Sequence, residues 1–239
     1  MKRILFMVIR NIFYIVPMWI RLVYHSKHVN KYTDIEHNEL FKYIIRRANK
    51  GGNVVLKTYG IENIPKEDGY IFYPNHQGMY DMLAMLGTCP TPISAVAKKE
   101  VENVPFLKQV FLCMGAQMID RKDVKQSMQV IINVIKEVKE KRNYVIFAEG
   151  TRSKNGNNTM PFKGGSFKAA TKTKCPIIPV ALVNAYVPFD VNTIKKVEVE
   201  VHYLKPMFYD EYCNMKTTEI ADVVRNRIQT VLDQYNNTQ

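Results

Sequence analysis

The sequence of 239 residues predicts an α/β fold, in which a mostly parallel central sheet is flanked by helices and preceded by an N-terminal two-helix segment. Short apolar runs, typical of buried strands, alternate along the chain with segments whose apolar residues recur at helical spacing. The hydrophobic content of 46% and the absence of low-complexity tracts are typical of a folded protein. The length suits one full core with an appendage.

The chain begins with a long apolar stretch, residues 4–24, which Arg10 and Pro17 interrupt. A helix that spans a bilayer needs about 20 apolar residues with few charges, and a central arginine is costly there. A cleaved signal peptide is not expected, because no small-residue cleavage site follows the apolar stretch. We therefore interpret the stretch as a helix that lies in one leaflet of a membrane.

A second amphipathic segment, residues 34–50, carries an apolar stripe and ends in basic residues. The first fifty residues hold ten lysines and arginines against three acidic residues, within a formal net charge of +12 for the chain. The two segments are interpreted as a membrane-docking motif whose basic residues face anionic headgroups. The alternative is a hairpin that packs on the globular core. His25 and His28 are interpreted as interfacial polar residues, not as a metal site.

A glycine pair, Gly51-Gly52, is predicted to end the docking motif. Residues 1–50 then form a membrane-associated helical hairpin, and residues 51–239 form the α/β domain. Within this domain, apolar or alternating runs predict strands at 54–59, 70–73, 93–97, 144–148, 177–183 and 197–203. Helical spacing predicts helices at 79–86, from Val124 to Val138 with Asp120 or Asp123 as the cap, and from Thr217 onwards.

The segment from Asn75 to Asp81 lies where the predicted strand at 70–73 passes through a turn at Gly78 into a helix. His76 and Asp81 are about 140° apart on an ideal helix, so they meet only if His76 lies in the loop and Asp81 reaches back. The carboxylate then accepts the Nδ1 proton of His76 and leaves Nε2 free to take one. Backbone N–H groups near Gly78 are expected to hold an oxyanion.

The four cysteines, Cys89, Cys113, Cys175 and Cys213, are widely separated and have neither metal nor redox spacing. This pattern is typical of a protein in a reducing compartment. The sequence also lacks a Gly-x-Ser-x-Gly motif and any cysteine beside a histidine, so a nucleophile for a covalent intermediate is not apparent.

Four patches stand in order along the chain, and they are Asn75–Asp81, Gly115–Arg121, Phe147–Ser153 and Pro176–Val180. In order and spacing they resemble the motif blocks of the glycerolipid acyltransferases. Each block alone is weak, whereas four in order form a strong match, which covers roughly residues 54–205. The chain departs from the family pattern in having Ala148 where proline is usual and Ser166 where alanine is frequent; neither change removes a chemical group.

The resemblance implies an O-acyltransferase that needs no cofactor and no metal. Its donor is acyl-CoA or acyl carrier protein, its acceptor is the 2-hydroxyl of 1-acyl-sn-glycerol-3-phosphate (lysophosphatidate), and its product is phosphatidate. The alternative within the family is another lysolipid acceptor, such as a lyso-ornithine lipid or a remodelling substrate. The implied location is the cytoplasmic face of the cell membrane, monotopic or peripheral, against an anionic lipid surface and without a nucleic-acid partner. A non-catalytic binding protein would leave the His76/Asp81 pair unexplained.

The resemblance also assigns roles to residues. His76 is implied as the base that deprotonates the acceptor hydroxyl in a direct transfer, with Asp81 orienting it. A guanidinium binds two phosphate oxygens in a planar fork, which suits Arg121 and Arg152 for the acceptor's phosphate. The phosphate-binding turn is completed by Glu149, Gly150 and Thr151, unless Glu149 instead holds Arg152 in place. Asn75, Gly78 and Lys163 are implied as supporting residues, and Lys98 and Lys99 either add positive field or are merely solvated.

Overall fold

The computed structural model of the chain describes residues 2–120 and 122–237, and it confirms the predicted α/β class. The strands are β1 (Val54–Tyr59), β2 (Ile71–Pro74), β3 (Ser94–Lys98), β4 (Gln117–Ile119), β5 (Tyr144–Val145), β6 (Ile177–Val183) and β7 (Val197–Tyr203). The helices are α1 (Lys2–Arg10), α2 (Ile12–Lys27), α3 (Asp34–Gly52), α4 (Asp81–Thr88), α5 (Leu107–Cys113), α6 (Val124–Lys139), α7 (Lys168–Thr173), α8 (Val187–Asp190), α9 (Tyr209–Tyr212) and α10 (Thr217–Asn236).

The seven strands form one sheet in the order β1-β7-β6-β2-β5-β3-β4. Neighbouring strands are parallel except β6 and β7, which are antiparallel. β1 and β7 therefore run opposite to the other five strands, whose carboxyl ends meet at one edge. Because β2 lies between β5 and β6, the loops that follow these three strands are neighbours at that edge.

The side chains of β2 alternate between two apolar clusters, one on each face of the sheet. Phe72 belongs to the cluster that includes residues of α3, α4 and α5. Ile71 and Tyr73 belong to the cluster that includes residues of α6, α7 and α10. Helices thus cover both faces of β2, which explains why its short run is apolar throughout.

Helix α3 buries most of its apolar stripe in the protein, which corrects part of the predicted docking motif. Leu40 and Ile44 belong to the same buried cluster as Phe72 of the central strand. The Tyr80 hydroxyl, just before α4, donates to Asn49 Oδ1 of α3 over 2.7 Å. The alternative, packing on the globular core, therefore holds for α3, because α4 and the sheet offer its stripe an apolar partner.

Helices α1 and α2, in contrast, expose much apolar surface. Phe13 is 90% exposed, and Leu5, Ile9, Ile12, Val16 and Ile20 are each more than half exposed. No single helix within residues 2–120 and 122–237 is long and apolar enough to cross a membrane. Taken together, α1 and α2 meet that requirement of length and composition, but they are bent by 93° where they meet.

The glycine pair predicted as a boundary lies inside a helix. Gly51 and Gly52 are the last residues of α3, and Asn53 ends the helix in the left-handed region, with φ of 54°. Both glycines lie against Met7 of α1, and a Cβ on Gly51 would overlap the side-chain amide of Asn11. The pair thus allows two helices to approach closely, while the division into two domains stays a prediction.

His25 is buried, so its interpretation as an interfacial residue is wrong. Its ring stacks on Tyr32 with centroids 3.7 Å apart, and its Nδ1 lies 3.2 Å from Nδ1 of His37 on α3. His28 is half-buried at the end of α2, with its Nδ1 2.9 Å from the carbonyl oxygen of Tyr24. Sequence spacing alone had not indicated that α3 would cover His25.

Several element limits also differ from the prediction. Asp123 caps α6 by accepting from the N–H of Gln126 over 3.0 Å, whereas Asp120 bonds the N–H of Lys122. Helix α4 begins at Asp81, two residues later than predicted, and β5 holds two residues instead of five. Elements as short as β4 and α5 were not predicted, because they carry too little periodicity.

Candidate active site

His76 lies in the loop after β2, and Asp81 is the first residue of α4. His76 Nδ1 is 2.7 Å from Asp81 Oδ2. The pair meets as the five-residue spacing requires, with the histidine outside the helix and the aspartate reaching back. His76 also stacks on the ring of Phe147, with centroids 4.2 Å apart. The side chain of His76 is about one-quarter exposed (23%), so a substrate can reach the ring.

Asp81 is fully buried and serves both the imidazole and the loop. Its Oδ2 accepts the backbone N–H groups of Gln77 and Gly78 over 2.6 and 3.0 Å, in addition to the contact with His76. Burial raises the pKa of Asp81, and the bonds from His76 and the two N–H groups oppose this shift. The carboxylate therefore holds the histidine ring and the backbone beside it in one arrangement.

The N–H groups near Gly78 are engaged by carboxylates, so the expected oxyanion role is wrong for this arrangement. The Gly78 N–H donates to Asp81, and the Met79 N–H donates to Asp190 Oδ2 over 3.1 Å. Gly78 is required for a different reason. A Cβ at this position would overlap Asp190 Oδ2 and crowd the backbone of Tyr186.

Asn75 joins the loop after β2 to strand β6. Its side chain is fully buried, donates from Nδ2 to the carbonyl oxygen of Leu182 over 3.0 Å, and accepts the N–H of Leu182 at Oδ1 over 2.7 Å. The amide thus replaces a backbone pair of the ladder at the point where β2 ends. Asn75 supports the site by fixing the start of the His76 loop.

Glu149 lies in the loop after β5, and its side chain bonds two backbone groups. Its Oε1 accepts the N–H of His76 over 2.7 Å, and its Oε2 accepts the N–H of Met160 over 3.1 Å. Burial raises the pKa of this carboxyl to about 7. Both of its oxygens bond these loops, so the alternative that Glu149 holds Arg152 is wrong.

Arg152 pairs with Asp190, which lies in the loop region after β6. Its Nη1 is 3.6 Å from Asp190 Oδ1, and both side chains are about one-third exposed (36%). The next residue, Ser153, donates its N–H to the carbonyl oxygen of His76 over 2.8 Å. The turn that carries Arg152 is therefore attached directly to the His76 loop, and the guanidinium remains accessible to a ligand.

The turn itself depends on Gly150, whose φ of 74° lies in the left-handed region that favours glycine. A Cβ on Gly150 would also meet Lys163 Nζ at 2.9 Å, which shows that the ammonium lies against this turn. Thr151 is exposed. Lys163 and Arg152 thus bring two positive charges to one turn, as an anionic ligand requires.

A family model described as acyltransferase matches residues 55–183, more than half of the chain. The chain belongs to the acyltransferase family. This confirms the resemblance to glycerolipid acyltransferases that the four motif blocks indicated.

Two similar members of the acyltransferase family come from bacteria. The chain is 33% identical over 178 residues to the 1-acyl-sn-glycerol-3-phosphate acyltransferase of Borreliella burgdorferi, covering 72% of this chain and 71% of that protein. It is 34% identical over 152 residues to the protein of the same name from Salmonella typhimurium, covering 63% and 62%. The crystal structure of the 1-acyl-sn-glycerophosphate (LPA) acyltransferase PlsC from Thermotoga maritima aligns with a TM-score of 0.75 at 20% identity, over 98% of this chain and 97% of that one, which shows a shared fold.

Three basic residues that the sequence suggested for the site, Arg121, Lys98 and Lys99, are not placed there by the described structure. Arg121 lies outside the described residues, so its role stays a prediction. Lys98 pairs with Glu100 over 2.6 Å, and Lys99 lies 3.8 Å from Asp120. These pairs favour the solvated interpretation of the two lysines over a part in ligand binding.

A buried amide network beside His76 had no signal in the sequence. Gln77 Nε2 donates to Asn157 Oδ1 over 2.9 Å, and Gln77 Oε1 accepts the N–H of Ala185 over 2.8 Å. Asn157 Nδ2 in turn donates to Asn184 Oδ1 over 3.1 Å. The network joins the loops after β2, β5 and β6, and only their adjacency in the sheet explains it. Asp190 was missed for the same reason.

Proposed function

We propose that this chain transfers a fatty acyl group from an acyl thioester to the 2-hydroxyl of 1-acyl-sn-glycerol-3-phosphate, giving phosphatidate. The observation that carries the proposal is the buried Asp81 carboxylate 2.7 Å from Nδ1 of a partly exposed His76. The names of the relatives supply the substrates, since both are 1-acyl-sn-glycerol-3-phosphate acyltransferases. The donor is acyl-CoA or acyl carrier protein.

The transfer is direct, without an acyl-enzyme. Nε2 of His76 takes the proton of the acceptor hydroxyl as its oxygen attacks the thioester carbonyl, and Asp81 stabilises the imidazolium that forms. The C–S bond then breaks, and the thiolate leaves and takes the proton from the imidazolium. His76 returns to its neutral form, so protons and charges balance over one turnover.

The acceptor's phosphate is bound by the turn at 150–152 in this proposal, since both oxygens of the buried Glu149 bond backbone N–H groups. Arg152 offers donors in a planar fork, and Lys163 adds a point charge against the same turn. Ser153 bonds the carbonyl oxygen of His76, so the phosphate-binding turn and the base are attached to each other. This attachment supports an acceptor that carries its phosphate a short distance from the reacting hydroxyl.

The exposed apolar face of α1 and α2 supports a monotopic or peripheral position on a membrane, which in this proposal is the cytoplasmic face of the cell membrane. Exposed side chains such as Phe13 and Ile20 suit the acyl boundary of an anionic leaflet, and both substrates carry acyl chains. Arg47 lies over the ring of Tyr14 at 3.5 Å, which places a cation beside this face.

The proposal is tested by thiol release from acyl-CoA with and without lysophosphatidate. Wild type is expected to release thiol only when lysophosphatidate is present. If another lysolipid supports the same rate of thiol release, lysophosphatidate is not the specific acceptor. His76→Ala is expected to abolish turnover, and Asp81→Asn to lower kcat by orders of magnitude because the imidazole loses its orientation. His28→Ala, a half-buried histidine outside the site, is the matched control. Near-normal turnover by a folded His76→Ala protein would rule out His76 as the base.

A further inference from the structure

Asp190 is the last residue of α8, the single helical turn that follows β6. It lies beyond the segment 55–183 that the family model matches. The loop after β6 is a neighbour of the His76 loop only because β6 pairs with β2 in the sheet. A carboxylate at this position therefore stands beside a site formed by residues much earlier in the chain.

The two oxygens of Asp190 contact two different parts of that site. Oδ2 accepts the N–H of Met79 over 3.1 Å, and Oδ1 lies 3.6 Å from Arg152 Nη1. Gly78 leaves room for this contact, since a Cβ there would overlap Oδ2. The carboxylate thus connects the loop of His76 with the guanidinium that we assign to the acceptor's phosphate.

We propose that Asp190 is a positioning residue for the acceptor: it aims Arg152 at the phosphate while that guanidinium stays beside the catalytic loop. This inference rests on the proposed function. An arginine side chain has five N–H donors, so a contact at one Nη leaves others for a phosphate. Without the carboxylate, the Arg152 side chain samples more rotamers. Binding of the phosphate must then order this side chain, at a cost in conformational entropy.

The contact is partly exposed, so its removal should have a modest and specific effect. Asp190→Ala is expected to raise KM for lysophosphatidate by about two- to fivefold, the range for a weak exposed ion pair. KM for monoacylglycerol, which has no phosphate, should stay unchanged. kcat with either acceptor should also stay within about twofold, because His76 and Asp81 keep their own bonds.

Asp190→Asn distinguishes the hydrogen bond to Met79 from the ion pair with Arg152. The amide oxygen can still accept the N–H of Met79, whereas the charge opposite Arg152 is gone. We expect this variant to raise KM for lysophosphatidate as Asp190→Ala does. If only Asp190→Ala has an effect, Asp190 acts through Met79 and the inference is overturned.

A double-mutant cycle with Arg152→Ala tests the route of the effect. Adding Asp190→Ala to an Arg152→Ala protein should change KM for lysophosphatidate no further. A further rise in this KM would overturn the inference, and so would an equal rise in KM for monoacylglycerol. A fall in KM for lysophosphatidate would also overturn it, because Asp190 would then compete with the phosphate for Arg152. Wild type without activity on lysophosphatidate would refute the proposed function, whereas an active wild type with unaffected Asp190 variants would refute this inference alone.

Discussion

At the scale of single residues, His76 is held at three points, one by the start of α4 and two by the loop after β5. Asp81 bonds its ring, Glu149 accepts its backbone N–H, and Ser153 donates to its carbonyl oxygen. Ring and backbone are therefore both fixed before a substrate binds. Such preorganisation lowers the entropy cost of reaching the reactive geometry.

Arg152 provides the clearest test of acceptor recognition. Loss of a charge-assisted bond to phosphate costs about 1.5–3 kcal/mol, so Arg152→Ala should lower kcat/KM for lysophosphatidate roughly ten- to a hundredfold. Monoacylglycerol should be affected little. Arg152→Lys should recover only part of the loss, since a point charge does not form the fork.

The control for Arg152 is Arg227→Ala, an arginine of α10 with comparable exposure that pairs with Glu211. We expect this control to leave kcat/KM unchanged with both acceptors. If Arg152→Ala weakens both acceptors equally at an unchanged melting temperature, Arg152 does not bind the phosphate. If only the yield of folded protein drops, the Arg152–Asp190 contact is structural.

The raised pKa of Glu149 predicts that this residue contributes to stability in a pH-dependent way. Its pKa is raised from 4.5 to about 7, so between these values the folded protein holds a proton that the unfolded chain has released. The free energy of unfolding therefore falls as pH rises through this interval, by about 3 kcal/mol at most from this group. Glu149→Gln removes this dependence. It also leaves one N–H without an acceptor, at a cost of about 1–3 kcal/mol.

The measurement is urea unfolding of wild type and Glu149→Gln at several values between pH 5 and pH 8. The stability difference between the two proteins should be larger at pH 5 than at pH 8, because the wild type is favoured most where Glu149 is protonated. Glu102→Gln, on an exposed loop, should change stability by less than about 0.5 kcal/mol. A difference that stays constant from pH 5 to pH 8 would show that Glu149 is ionised throughout.

At the scale of elements, the three N-terminal helices divide into two kinds. α3 is part of the core, and the Tyr80–Asn49 bond ties it to the residue next to Asp81. α1 and α2 place large apolar side chains in solvent. We therefore place the proposed membrane-docking surface on α1 and α2 alone, and removal of α3 would damage the fold instead of testing docking.

The corresponding prediction concerns Phe13 and Ile20, which lie seven residues apart on one face of α2. Changing both to serine should weaken binding to anionic phospholipid vesicles at least about a hundredfold, because each buried apolar side chain contributes about 1.5–3 kcal/mol. The melting temperature should not change, since Phe13 is 90% exposed and Ile20 62% exposed. Vesicle flotation measures the binding to vesicles.

Leu40→Ala on α3 supplies the opposite control. Leu40 is 1% exposed, so truncation should cost about 2–5 kcal/mol of stability. Binding to vesicles by the fraction that remains folded should be unaffected. If the Phe13→Ser/Ile20→Ser protein binds vesicles as wild type does, the membrane surface lies elsewhere on the molecule.

At the scale of the whole molecule, the order of strands in the sheet brings the site together. β2 leads into the loop of His76, and its neighbours β5 and β6 lead into the loops of Glu149 and Asp190. Because these three strands are parallel, all three loops leave the same edge. The connections cross 73 residues from His76 to Glu149 and 111 residues from Met79 to Asp190, distances that no local motif spans.

The sequence by itself determined the α/β class, most strands, and the contact between His76 and Asp81. Each of these follows from local chemistry: periodicity of apolar residues, and a loop–helix junction that allows one side chain to reach back. Only the tertiary structure decided which N-terminal helices are buried, that Glu149 serves backbone groups, and that Asp190 meets Arg152. Both N-terminal segments carry apolar residues, and whether those residues are buried depends on whether another element offers a partner surface. Pairing between distant loops likewise depends on strand order, which local patterns do not encode.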